Sequence, residues 1–194
     1  MSVAGCALLV TLAALRGNAW HIVACSLYGA SLIALYSAST IYHAVCSRRW
    51  KRVWRVVDHS AIYLLIAGSY TPFTLVSLRG AWGWSLFGVV WGLTLIGILF
   101  KVWFVDRVPV ISTIVYLLMG WLVIVAVKPL FAAVPHAAIA WLAASGLLYT
   151  TGVAFFAWQR LPYHHAIWHA FVLAGSVCHY VAVLYYVIPA KLPA

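Results

Sequence analysis

Acidic side chains are almost missing from this chain: Asp58 and Asp106 are the only two in 194 residues, against twelve lysines and arginines. Charge of either sign is scarce, at 7% of residues, where a soluble domain carries about 25%. With 66% hydrophobic residues and a mean hydropathy of +1.05, this scarcity excludes a water-soluble globular domain. The four cysteines, Cys6, Cys25, Cys46 and Cys178, show no CxxC spacing. That excludes a disulfide framework and a thiolate metal site, and leaves them as small apolar packing residues. A basic segment ahead of the first apolar block is missing, as is a clear small-residue cleavage site, so that block is not a secretory signal peptide. The apolar runs are long and do not alternate, which speaks against a β-barrel. Internal repeats and low-complexity segments are absent.

The charges that are present divide the chain. Residues 1–15 carry none, and the uncharged runs 17–47, 80–100, 108–127, 129–159 and 161–190 are joined by 56–78, where Asp58 is the one charge. A helical span needs about 20 apolar residues to cross a hydrocarbon core of about 30 Å, and only helices satisfy every backbone group within the segment. Six blocks are long enough and the first is short. The expected fold is therefore an all-α membrane protein, a single domain over 1–194, with seven spans near 3–15, 22–46, 57–78, 82–100, 110–127, 137–158 and 164–188. Turn signals stand between them at Arg79-Gly80, Val108-Pro109, Lys128-Pro129, Val134-Pro135 and Leu161-Pro162. Thr71-Pro72 should kink the third span, its freed backbone groups taken up by neighbours. Trp50, Trp54, Trp82, Trp84 and Trp103 fall near span ends, as interfacial anchors do.

Lys and Arg set the orientation. With the N-terminus inside, the inner connections hold Arg48, Arg49, Lys51, Arg52, Arg55, Lys101, Arg107 and Arg160, and the outer ones Arg16, Arg79, Lys128 and Lys191. Eight against four places the N-terminus in the cytoplasm. The net charge of +10 invites a nucleic-acid reading. However, five of the basic residues cluster between spans two and three, where such clusters set topology and meet anionic headgroups, so no nucleic-acid partner is expected.

Asp58 lies one turn into the third span, and an ionisable residue in a span marks a functional site by default. Span two ends on the same side with Ser39 and His43, and span seven begins there with His165 and His169. The topology alone brings these five residues to one depth. His165 and His169 are four apart, so both imidazoles leave one helix face a turn apart. Three histidines with a fourth position open make the donor set of a catalytic zinc centre, and Asp58 could orient a water or a ligand imidazole there. Zinc acidifies water to a pKa of about 7 and polarises carbonyls. Each residue also has an ordinary reading. An HxxxH pair on a helix is weak alone, Asp58 could pair with Arg55, and Ser39 could be small-residue packing. His21, His59, His136, His164 and His179 are read as bundle hydrogen bonds or interfacial residues. Ligation predicts ring nitrogens about 3–4 Å apart, and separations beyond about 8 Å exclude it.

Ser39–His43, Asp58-His59-Ser60-Ala61-Ile62-Tyr63-Leu64-Leu65-Ile66-Ala67-Gly68-Ser69-Tyr70-Thr71-Pro72-Phe73, and His164-His165-Ala166-Ile167-Trp168-His169 with Ala174-Gly175-Ser176 and His179 carry a family resemblance. The chain resembles, over nearly its whole length, the haemolysin III family, the bacterial branch of the progestin and adiponectin Q receptor group. The resemblance implies a seven-helix membrane fold with the N-terminus inside. It implies zinc on His43, His165 and His169, a water bridging zinc to Asp58, and Ser39 as the motif serine. The wider superfamily includes alkaline ceramidases, which cleave a lipid amide, and haemolysin III takes its name from red-cell lysis attributed to pores. Family members usually carry a longer polar N-terminal segment, so the first helix here is expected to be short or truncated.

Three functions follow as expectations. The first is a zinc-dependent hydrolase of membrane-lipid amides in the bacterial inner membrane. In it Asp58 orients or deprotonates water, Ser39 positions Asp58 or the developing oxyanion, and membrane lipids, a lipid amide or a free fatty acid are the partners. The second is a membrane-state sensor with a structural zinc. The third is a pore-forming cytolysin, which the sequence disfavours because no span carries a polar stripe that could line a wide channel.

Overall fold

A computed structural model describes residues 2–105 and 109–189, and the described residues are helical throughout, with no strand. The chain runs α1 (Ser2–Arg16), α2 (Ala19–Ala44), α3 (Arg48–Pro72), a π-helical turn (Phe73–Ser77), α4 (Ala81–Phe104), α5 (Pro109–Trp121), a 3-10 segment (Leu122–Ala126), α6 (Val127–Ala133), α7 (His136–Ala157) and α8 (His164–Tyr186). Six stretches are long and apolar enough to cross a membrane, with α5, the 3-10 segment and α6 forming one of them. The 15-residue α1 is the short seventh, about 22 Å long. Its neighbour α2 starts on a capping box. Asn18 Oδ1 accepts from the backbone of Trp20 and His21 (3.0 and 3.4 Å), and His21 Nδ1 accepts the Asn18 N–H at 3.2 Å. His21 thus caps α2, and its side chain also lies against the Val187 backbone at the end of α8.

Three boundaries differ from the sequence expectation. The basic cluster is not a loop: Arg48, Arg49, Lys51, Arg52 and Arg55 occupy the first two turns of α3. Lys101, expected in a connection, lies inside α4 with no accessible surface. The Lys128-Pro129 turn does not form. Pro129 sits in the first turn of α6, where a missing N–H costs little, and the helix resumes after the 3-10 segment. Of the other residues used to orient the chain, Arg107 and Lys191 lie outside the described residues, as does Val108 of the expected 108–109 turn. Removing Lys101 from the count leaves seven against four, and the sign stands.

The helix α3 is the central span. Of its most apolar window 67% is buried, against 44% or less for the other five long spans. It packs along α2 and α4 and meets α5, while α7 lies along α8 and α1 along α2. Lipid supplies no hydrophobic drive between helices, so close contact depends on small residues. A Cβ on Gly68 would strike the Ser31 side chain, and one on Gly97 would enter the Tyr63 ring. Across the bundle, Tyr36 Oη donates to Ser176 Oγ at 2.9 Å, and Tyr149 Oη shares the same hydroxyl at 2.9 Å. Large apolar side chains such as Leu95, Ile96, Leu118 and Val125 stand on the outer surface, facing lipid. The four cysteines are free.

Pro72 interrupts α3 as expected. Phe73 N–H turns back to Tyr70 O, which frees the Ser69 carbonyl, and His179 Nε2 of α8 donates to it at 3.0 Å. Thr71 Oγ1 donates to Ala67 O at 2.7 Å and accepts from Trp91 Nε1 at 3.1 Å, while Thr74 Oγ1 donates to Tyr70 O at 3.1 Å. The second interruption, in the α5–α6 span, is answered by Tyr70. Its hydroxyl contacts Met119 O and Gly120 O (2.9 and 2.8 Å) and accepts Val123 N–H at 2.9 Å. A bilayer offers no water for such groups, so these partners are what make the two breaks tolerable.

Candidate metal centre

Three helix ends build the site. His43 is in the last turn of α2, where the final carbonyls lack helical donors. Lys51, from the first turn of α3, supplies one: its Nζ donates to Tyr42 O at 2.6 Å, lies 3.4 Å from His43 O, and stands 4.5 Å from the centroid of the Tyr42 ring. One lysine thereby fixes the turn that carries His43. Across the bundle, α8 opens on Tyr163, whose φ of 59° lies in the left-handed region that a bulky residue seldom occupies. The helix then presents His165 in its first turn and His169 one turn on.

The imidazoles converge. His165 Nε2 is 3.3 Å from His43 Nε2 and 3.1 Å from His169 Nε2. Tetrahedral ligation at 2.0–2.1 Å per bond requires nitrogens about 3.3 Å apart, so the three fit one metal ion. Among the described residues they form the one group of three or more His, Cys, Asp or Glu donors whose ligand atoms lie within 4.8 Å of one another. The rings also meet at steep angles, 59° between His43 and His165 and 82° between His165 and His169. Both contacts also have hydrogen-bond geometry, so it is the closeness of three nitrogens from three rings, rather than ring tilt, that suits an ion.

Asp58 is buried, and it is not a member of that group. The Ser39 side chain stands beside its carboxylate, and His59 Nδ1 lies 3.5 Å from its Oδ2. The same His59 Nδ1 is 2.9 Å from Arg55 O, and Tyr116 Oη donates to His59 O at 2.9 Å. The structure therefore brings Ser39 to Asp58 and the three histidines to each other, at one end of the bundle. Asp58, Ser39, His165 and His169 border a cavity of about 620 Å³. Its walls are mainly apolar and follow α3 and the π-helical turn from Arg55 to Leu78. His43 borders a second, shallower cavity of about 500 Å³ with Cys46, Arg48, Lys51, Arg52 and Arg55. The histidines thus stand between an apolar chamber and a basic mouth.

The remaining histidines have other roles. His179 bonds across the bundle as expected, and His136 packs against Phe131 with centroids 5.9 Å apart. His164, at the start of α8, has an enclosed Nδ1 with no hydrogen-bond partner among the described residues. Sequence reasoning missed Lys51, Tyr116 and Lys101. The first two act on backbone carbonyls, which no side-chain motif reveals. Lys101 was assigned to a connection because hydropathy drops at a charge.

Fold and site together define a multi-pass membrane protein with a tri-histidine group able to hold a metal ion. The sequence profile of the family described as "Haemolysin-III related" matches residues 1–180. The chain is 46% identical over 186 residues to "Hemolysin-3 homolog" of Bacillus subtilis (strain 168), covering 96% of this chain and 87% of that protein. It is 45% identical over 189 residues to "Hemolysin-3" of Bacillus cereus, covering 97% and 86%. A more distant relative, the "Monocyte to macrophage differentiation factor" of Homo sapiens, is 28% identical over 184 residues, covering 89% and 74%. No solved structure matches. The chain belongs to the haemolysin III family, within the progestin and adiponectin Q receptor group.

Proposed function

We propose that this chain is a zinc-dependent hydrolase of membrane-lipid amides, working at the cytoplasmic face of a bacterial inner membrane. The observation that carries the reading is the convergence of three ε nitrogens at 3.1 and 3.3 Å, with a buried carboxylate on the cavity that His165 and His169 border. His43, His165 and His169 hold zinc through Nε2, which requires each ring to keep its proton on Nδ1. Zinc bound there supplies Lewis acidity toward water and a carbonyl. Asp58, acceptor-only when ionised, would orient the attacking water, take its proton and pass it to the amine nitrogen as the C–N bond breaks, releasing fatty acid and amine. Ser39 holds Asp58 in that direction through its hydroxyl. The apolar chamber lodges the acyl chain, so the amide lies where the chamber meets the histidines. Membrane lipids are then both solvent and substrate pool, and free fatty acid is the product left in the chamber.

Incubating the purified protein with a panel of lipid amides and measuring fatty-acid release by mass spectrometry tests this. Release that stops on chelation and returns with zinc supports the proposal. Retained metal without release from any amide favours a sensor with a structural zinc. The Bacillus cereus relative's name, "Hemolysin-3", favours a second reading, a cytolysin. Its signature is dye release from liposomes that survives His165→Ala with His169→Ala.

A further inference from the structure

Lys101 is a cation that the metal-site chemistry does not use. Its side chain has no accessible surface. Among the described residues its ammonium has no hydrogen-bond partner, and the Tyr116 ring centroid, 5.7 Å away, is the aromatic face it approaches. It nevertheless borders the large apolar chamber, as Asp58, Tyr116, Ser112 and Thr113 do. Helix register sets its depth. Thr94 Oγ1 of α4 donates to Tyr63 O of α3 at 3.2 Å, and Gly97 lies against the Tyr63 ring. The two helices are antiparallel neighbours, so one more turn of α4 brings Lys101 to the level of His59 and Asp58. Tyr116 ties that level together. Its ring stands 4.6 Å from Tyr63, and its hydroxyl reaches His59 O.

A buried ammonium without a counter-charge is strongly unfavourable unless an anion meets it or it gives up its proton. Asp58 is the one acidic residue among the described residues, and its carboxylate contacts His59, with no ion pair to Lys101. Within the described residues, the remaining source of an anion is whatever enters the chamber. We propose that Lys101 is a specificity-determining residue that pairs with a carboxylate on the lipid amide, so the substrate class is N-acyl amino acids rather than neutral amides. The amide part rests on the hydrolase reading above; the anion pairing does not. Lysine fits this task because its ammonium is a point charge on a flexible four-carbon stem, which can swing from behind the chamber wall when an anion arrives. A single cation matches a monoanion better than a phosphate dianion.

The test measures binding to the full-length, zinc-loaded protein by calorimetry in detergent, with four probes: N-oleoylglycine, its methyl ester, N-oleoylethanolamine and oleoyl lysophosphatidate. The wild type should bind the glycine acid at least about tenfold more tightly than its ester or the ethanolamide, and more tightly than the phosphate. Lys101→Met should erase that preference while leaving ester affinity within about twofold, and Lys101→Arg should keep most of it. Equal wild-type binding of acid and ester overturns the proposal, as does a preference that survives in Lys101→Met or tighter binding of the phosphate. If Lys101→Met does not fold, Lys101→Gln is measured in its place, and the wild-type comparison still decides whether an anion is recognised. Oleate release is followed in the same samples. Discrimination without release removes the hydrolase reading and leaves the anion site standing.

Discussion

The two ends of α3 both place polar groups inside a membrane, and they treat them in opposite ways. Around Pro72 each polar atom named above is closed by protein. His179 takes the Ser69 carbonyl, Tyr70 serves three backbone groups of the α5–α6 span, and Thr71 and Thr74 back-bond to the helix. Around Asp58 polar capacity is left over. Three imidazole nitrogens crowd together at 3.1 and 3.3 Å, Asp58 has a neighbouring serine and imidazole against four lone-pair sites, and among the described residues the Lys101 ammonium has no hydrogen-bond partner. A fully satisfied polar cluster rigidifies a bundle; a cluster with spare capacity is built for something that is not protein. Histidine alone does not tell the two apart, since both ends use it. The count of satisfied atoms does.

That contrast can be broken from either end. The largest effect is expected at the open end. Asp58→Asn keeps the shape and removes the base, so lipid-amide turnover should fall on the order of 10²–10³-fold while metal content stays at wild type. Metal loss would instead make Asp58 a ligand, and unchanged turnover would remove its role. At the closed end the effects fall on stability. Tyr70→Phe strands the Val123 N–H and two carbonyls, and should cost about 1–3 kcal/mol, read as a lower melting temperature in detergent. His179→Leu strands the Ser69 carbonyl and should cost about 1 kcal/mol with no change in bound metal. Loss of metal in His179→Leu would erase the distinction between the two ends.

Much of this was legible in the sequence, because lipid imposes simple rules. Uncharged runs marked the spans, and the Lys/Arg count oriented them. The alternation of spans then put Ser39, His43, Asp58, His165 and His169 at one end of the bundle before any distance was known. The Pro72 break and its repair by a neighbour followed from the same rule about backbone groups in lipid. What could not be read depended on tertiary context. The Lys128-Pro129 pair looks like a turn, and becomes a helix start because Tyr70, from another span, fills the broken ladder beside it. Lys101 looks like the end of a span, because hydropathy treats a charge as a boundary. Only the packing of Tyr63 on Gly97 shows that α4 carries this lysine one turn deeper, to the level of Asp58.

Metal content bears most directly on the claim that three histidines converge for an ion. The protein is purified without added metal, and zinc is counted per chain by mass spectrometry in the wild type and in His165→Ala with His169→Ala. The account predicts about one zinc per wild-type chain and close to none in the variant, since one imidazole cannot hold the ion alone. Equal zinc in both proteins, or none in the wild type even after zinc is supplied, would contradict it.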